Sequence, residues 1–346
     1  MSKIELLFRE GMNNKIEQLR AENPNIKIYS HSKLSNFNQC RKGYYYTYID
    51  KKEQKQNPYS SLGSACHNSL EEVYDGKVER PSKQIFDNEF LKCELFGINF
   101  PKSKYDIKGG YKKDIDAFYD VYKKMDGEGK KFISEIGFIL KLDENHYEIG
   151  YIDLLILNDD GTAEIIDFKT SSTFDAKHTI SAGRQLVLYK IAVEQLYGIK
   201  VNSVSWQMLK YIDVQIGNNK PKVALRGREW VAKCSSQIKT LMKKEGIDSS
   251  LIDLYLTKAE TDNNINCLPQ EIINKIKVNV HTRYYEVTDE IIEECLEYTR
   301  NTIKEIETMD TEDETKWECS VDKFFCCNLC GFGGTHCKYW EYDKEE

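Results

Sequence analysis

No apolar run in this 346-residue chain approaches the ~20 residues that cross a bilayer, and Met1 to Asn25 holds no apolar secretory core. The expectation is a cytoplasmic protein with no membrane partner. A G-x4-G-K-[ST] phosphate cradle is also missing, which excludes an ATP-driven motor of that type in this sequence. So is an excess of positive charge: 49 Lys and Arg against 56 Asp and Glu leave a net −7, which argues against a protein that coats nucleic acid by charge alone. It leaves room for an enzyme whose metal site is acidic and whose substrate contacts are local. No internal repeat and no low-complexity tract interrupts the chain.

What is present is sharpest between residues 147 and 170. Tyr147 to Leu157 and Thr162 to Thr170 read as two strands, joined by the turn signal Asn158-Asp159-Asp160-Gly161. With a three-residue loop and Gly161 in the left-handed region, Asp153 falls opposite Asp167. Opposed residues in an antiparallel pair lie about 4.5–5.5 Å apart, close enough for both carboxylates to bind one metal ion. Alternation puts Asp167 and Lys169 on one face and turns Phe168 to the other. Two carboxylates and an ammonium on one strand face make poor core material unless a metal or substrate pairs them.

Two helices flank this hairpin. In Leu62 to Tyr74, opened by Gly63, the residues Leu62, Cys66, Leu70 and Val73 form an apolar stripe, with His67 and Glu71 beside it. Imidazole suits Mn²⁺ better than Mg²⁺, so His67 is a candidate third ligand. Ser181 to Tyr197 is amphipathic, with Gly198 at its C-terminal cap position, and Gln185 and Tyr189 share one of its faces. Further helices are expected at Met1 to Glu22, at Ser32 to Ile49 with Ser32 as cap, at Glu229 to Glu245 and at Asp289 to Thr308. Residues 78–130 read as mostly helical, broken near Pro101 and Gly109-Gly110. Strands are expected at Phe132 to Leu140, Val201 to Gln215 and Val278 to Val287. Basic clusters at Lys102 to Lys113 and from Lys210 through Arg228 read as solvated faces or as phosphate contacts.

In this order, Gly63-x3-His67, Gly150-x-Ile152-Asp153, Asp167-Phe168-Lys169-Thr170 and Gln185-x3-Tyr189 resemble the RecB-like branch of the PD-(D/E)XK nucleases. Ser32-Lys33-Leu34-Ser35-x-Phe37-x2-Cys40-x3-Tyr44 is similar to the helix that opens that branch. The resemblance spans about residues 28–210 and 317–340. It implies an α/β fold with a restriction-endonuclease-like core, a mixed central sheet flanked by helices. The implied divisions are an N-terminal helical region (1–60), the nuclease core (61–215), a mostly helical insertion (216–315), and a C-terminal cysteine region with an acidic tail (316–346). It implies that His67, Asp153, Asp167 and the main-chain carbonyl of Phe168 hold Mg²⁺ or Mn²⁺. Lys169 would orient or deprotonate water and stabilise transition-state charge, with Gln185 and Tyr189 supporting it.

Of eleven cysteines, Cys319, Cys326, Cys327, Cys330 and Cys337 crowd the end of the chain. In a cytosolic setting such crowding favours metal over disulfides. Cys327-x2-Cys330-x6-Cys337 alone suits zinc as readily as iron. The resemblance adds Cys40 as the first ligand of a [4Fe–4S] cluster stapling the two ends of the chain, with Cys326-x3-Cys330 as a competing register and Cys319 as a spare.

The expected activity is metal-dependent hydrolysis of DNA, as an exonuclease on single strands or duplex ends in recombination, repair or phage DNA processing. Any helicase would be a separate partner, as would a recombination or CRISPR protein. A DNA-binding scaffold on a nuclease fold and a site-specific endonuclease are the alternatives.

Overall fold

The structure, a computed structural model, describes residues 6–337. The expected helix start at Met1 and the acidic tail Glu341 to Glu346 lie outside the described residues. In chain order the first elements are β1 (Leu7–Phe8), α1 (Arg9–Glu22), β2 (Lys27–Ser30), α2 (His31–Gln39), α3 (Pro58–Tyr74), α4 (Lys83–Leu95) and α5 (Ile107–Val121). Next come β3 (Lys130–Lys141), β4 (His146–Asn158) and β5 (Ala163–Lys169), then α6 (Ala176–Tyr197) and β6 (Val201–Ile216). The chain continues through β7 (Lys222–Arg226), α7 (Trp230–Lys244), α8 (Ser249–Asp262), β8 (Ile276–Tyr285), α9 (Asp289–Thr308) and α10 (Lys323–Asn328).

The strands form one mixed eight-stranded sheet in the order β1-β3-β4-β5-β6-β7, with β2 parallel to β4 and β8 antiparallel to β6. Adjacent β5 and β6 run parallel, which requires a crossover, and α6 supplies it. Leu154, Leu155 and Ile156 in β4 are all fully buried, the continuous apolar run of a strand covered on both faces. One cover is α6 with α9, where Leu186, Val187 and Cys295 pack on Ile152 and Trp206. The other is α3, α4 and α5, where Leu62, Leu70, Phe86 and Phe118 pack on Leu154 and Phe168. This is the α/β arrangement expected, with the mixed sheet between helical layers.

Several local expectations differ from the structure. The helix expected over Ser32 to Ile49 starts one residue earlier at His31, with Ser30 rather than Ser32 as its cap. It also breaks at Cys40, which is extended (φ −159°), so that its Sγ accepts the Gly43 N–H and caps the next short turn. Gly109-Gly110 does not break a helix but lies in the first turn of α5, where the Asp106 carboxylate accepts the Gly109 N–H at 2.8 Å. Residues 216–315 do hold α7, α8 and α9, yet they also thread β7 and β8 into the central sheet. The β8 strand pairs with β6 along nearly its whole length, so this segment is part of the same layer as the hairpin. No helix of the described residues is long and apolar enough to cross a membrane.

Candidate active site

Local chemistry sets the hairpin. The Asn158 N–H bonds the Thr162 carbonyl at 2.9 Å, the Gly161 N–H bonds Asn158, and Gly161 sits at φ +82°, which makes the loop three residues long. The ladder then pairs Leu157 with Ala163 and Leu154 with Ile166. One residue further, Asp153 and Asp167 face each other where the two strands part. The Asp153 carboxylate takes over the vacated pairing position and accepts the Phe168 N–H at 2.7 Å.

The same row is broken on the other side of β4. Ser134 pairs with Leu154 and Ile136 with Ile152, but Glu135 between them leaves the ladder at φ +49°. A non-glycine residue in the left-handed region is uncommon and costs of order 1 kcal/mol or more, so it persists only where its surroundings hold it. Here Arg9 Nη2 holds the Glu135 carboxylate at 2.9 Å. Burial, with Asp153 and Glu71 nearby, raises the Glu135 carboxyl above its ordinary value. Nothing in the alternation of β3 singled out Glu135; its signal is the backbone conformation.

His67 arrives from above the sheet. A side chain at Gly63 would press on Thr170 Oγ1 at 3.2 Å, so the glycine lets α3 settle on the end of β5. One turn later His67 Nδ1 lies 3.5 Å from Asp153 Oδ2, its ring edge-on to Phe168 at 5.9 Å. Burial works against charging this imidazole, but the Asp153 bond and the Asp153 and Asp167 charges outweigh it and raise its pKa. Burial likewise opposes ionising Asp153, and His67 and Lys169 reverse that and hold it below the carboxylate range.

Lys169 Nζ lies 2.6 Å from Asp167 Oδ2 and donates to Gln185 Oε1 at 3.0 Å. Gln185 Nε2 in turn donates to the Tyr189 hydroxyl at 2.7 Å. Asp167 is 2% exposed, and burial, aided by the Asp153 charge, pushes its carboxyl up to about 6 despite Lys169. Burial disfavours the Lys169 cation, and the two aspartates overcome this and raise it. His31, at the start of α2, is a second residue sequence reasoning passed over; burial and the nearby Lys169 and Arg184 push its imidazole down to about 4.

The structure therefore brings His67, Asp153, Asp167, Phe168, Lys169, Gln185 and Tyr189 together at one end of the sheet. Among the described residues, no three His, Cys, Asp or Glu side chains are already closed around one point as a metal cage. The donor types nonetheless fit a divalent ion: two carboxylates, an imidazole and a main-chain carbonyl are hard or borderline ligands.

The cysteines gather elsewhere. Cys40 and Cys319 approach to 3.9 Å between sulfurs. Cys40, Cys326 and Cys337 are buried in one apolar cluster, with Cys319 and Cys330 packed against it. Cys327 is exposed, so of the two sequence registers it is Cys326 that turns inward. The reason is helical: α10 spans Lys323–Asn328, and neighbouring positions on a helix point about 100° apart. Burial, with Cys337 and Cys330 nearby, pushes the Cys326 thiol up to about 12.

A family model described as the PD-(D/E)XK nuclease superfamily matches residues 28–338. No curated protein matches the chain significantly.

Proposed function

Because this chain belongs to the PD-(D/E)XK nuclease superfamily, we propose that it is a metal-dependent DNA nuclease of the RecB-like branch, acting as an exonuclease on single strands or duplex ends. One observation carries the reading: both ladders flanking β4 part at Asp153, and into that gap come Asp167, Lys169 and His67. Asp153, Asp167, His67 and the Phe168 carbonyl would hold Mg²⁺ or Mn²⁺. When bound, such an ion polarises the phosphate and lowers the pKa of a coordinated water.

The chain's own residues supply the rest. Lys169 is held as an ammonium by Asp167 and Asp153, so it acts as a fixed cation beside the phosphoryl oxygens rather than as the base. Gln185 and Tyr189 form a relay of hydrogen bonds that fixes the Lys169 head group and keeps it from swinging wholly onto Asp167. The Phe168 N–H orients Asp153 by occupying one of its oxygens, leaving the other lone pairs for a ligand.

The same reading assigns the cysteines to one tetrathiolate centre, a [4Fe–4S] cluster with zinc as the alternative metal. Cys40, Cys330 and Cys337 would be ligands, with Cys326 in place of Cys327. Burial first, and neighbouring thiols second, disfavour ionisation of Cys326 and Cys330, which suits a cation that takes them as thiolates. Its role would be to tie α2 to the end of the chain, in recombination, repair or phage DNA processing, alongside a separate helicase or a recombination or CRISPR protein.

End-labelled single-stranded and double-stranded DNA incubated with Mn²⁺ tests the activity. Progressive loss from an end is expected; internal fragments would replace exonuclease by endonuclease, and intact DNA under all metals would overturn the reading.

A further inference from the structure

Three basic residues of the stretch from Lys210 through Arg228, namely Lys210, Arg226 and Arg228, fold into a cluster that the catalytic constellation does not use. Lys210 is 6% exposed, and its ammonium lies 5.2 Å over the Tyr111 ring. Among the described residues it has no hydrogen-bond acceptor and no carboxylate within ion-pair distance. Arg226 Nη2 lies 3.1 Å from Asp114 Oδ2, while the Arg228 main-chain N–H donates to Asp114 Oδ1 at 3.0 Å. The Arg228 guanidinium also lies 3.9 Å from Asp114 Oδ1, so two arginines share one fully buried carboxylate with Lys210 close by, and burial together with Arg226 pushes the Lys210 ammonium down to about 8. A buried cation without its own counter-charge is costly, and an incoming anion would relieve it.

The backbone is bent to make this cluster. The β6–β8 register shifts between Met208 and Ile212, and over this stretch both Leu209 and Lys210 turn to the α5 side, against Tyr111. Bulges commonly re-aim a side chain beside an active site. Gly110 contributes as well: a Cβ there would collide with the Arg228 guanidinium, so a residue that weakens the helix is what lets Arg228 lie across α5. The cluster also touches the catalytic strand. Arg226 Nη1 donates to the Tyr211 hydroxyl at 2.7 Å, and that hydroxyl accepts the Thr173 N–H at 3.2 Å, in the exposed loop that follows Lys169. Lys169 pairs with Met208 across β5 and β6, so Lys210 lies two residues, roughly 7 Å, further along.

We propose that Lys210, Arg226 and Arg228 form a phosphate-binding subsite for the backbone of a nucleic-acid strand, flanking the site of cleavage. The ligand class rests on the nuclease reading; the geometry does not. Binding of a fluorescent single-stranded oligodeoxynucleotide in EDTA, followed by anisotropy over a salt series, tests it. Lys210→Met and Arg228→Gln should each raise Kd roughly tenfold, the loss expected for a charged hydrogen bond. Each should also flatten the salt dependence by about 0.7 in log–log slope. Gly110→Ala displaces the same guanidinium but keeps its charge, so it should raise Kd less than Arg228→Gln and leave the salt slope unchanged. Removing a buried unpaired cation should leave Lys210→Met at least as heat-stable as the wild type; should it unfold, the half-exposed Arg228→Gln decides the matter. Wild-type Kd and slope in the variants would overturn the subsite while leaving cleavage untouched, as would a wild-type protein that does not bind the oligonucleotide. A wild type that binds through these residues but cuts nothing would support the subsite and sink the nuclease reading.

Discussion

Glu148 provides a clean test of how burial governs this protein's stability. It sits in β4, 0% exposed, and neither carboxylate oxygen has a hydrogen-bond partner among the described residues. Burial alone raises its carboxyl from 4.5 to about 8. For an acid raised in the folded state, the native protein binds more protons than the unfolded chain between those two values, so stability falls as pH rises across that window. With 1.36 kcal/mol per unit of pKa shift, the cost relative to a neutral side chain is about 1 kcal/mol at pH 5, about 3 at pH 7 and about 5 at pH 9. Glu148→Gln preserves shape and removes the charge. It should therefore stabilise the protein by little at pH 5 and by about 3 kcal/mol at pH 7, read as a rise in urea midpoint at constant slope. Glu148 touches none of the proposed catalytic groups, so cleavage should persist. A difference between variant and wild type that stays constant from pH 5 to pH 9 would refute the argument, because only titration of this carboxyl makes it pH-dependent.

The remaining predictions concern the two sites. Lys169→Met should lower kcat by about 10²–10³, the scale for losing one transition-state electrostatic contact, with little change in substrate KM. Mn²⁺ binding should weaken as pH falls from 8 to 5, because both the His67 imidazole, whose pKa is raised, and the Asp167 carboxyl, raised to about 6, must give up a proton to bind metal; calorimetry over that range reads this directly. Cys326→Ser should lower the iron or zinc content of anaerobically purified protein, whereas Cys327→Ser should leave it unchanged; the reverse result would restore the sequence register. Cys40→Ser should release the same metal, and retention of full metal content would break the staple.

The parts of this protein legible in its sequence are those decided within a few residues. The turn chemistry of Asn158 to Gly161 and the period-2 alternation of two strands were enough to place Asp153 opposite Asp167 and to put Lys169 beside it. Gly198, left-handed at φ +64°, ends α6 where the sequence suggested, since local sterics alone favour glycine there. Tertiary structure decided what depends on where a chain is forced to leave its ladder. Glu135 turns into the site only because the β3–β4 pair opens at that row, and Lys210 turns toward α5 only because the β6–β8 register slips. That Cys326 turns inward while Cys327 faces out follows from the rotation of a six-residue helix. β8 falls where a strand is expected, but its pairing with β6 joins residues far apart in the chain, a contact no local pattern announces, while β7 enters the same sheet through a short hairpin with β6. Short-range periodicity specifies which face a residue prefers, whereas the closure of distant strands and helices decides where that preference is overruled.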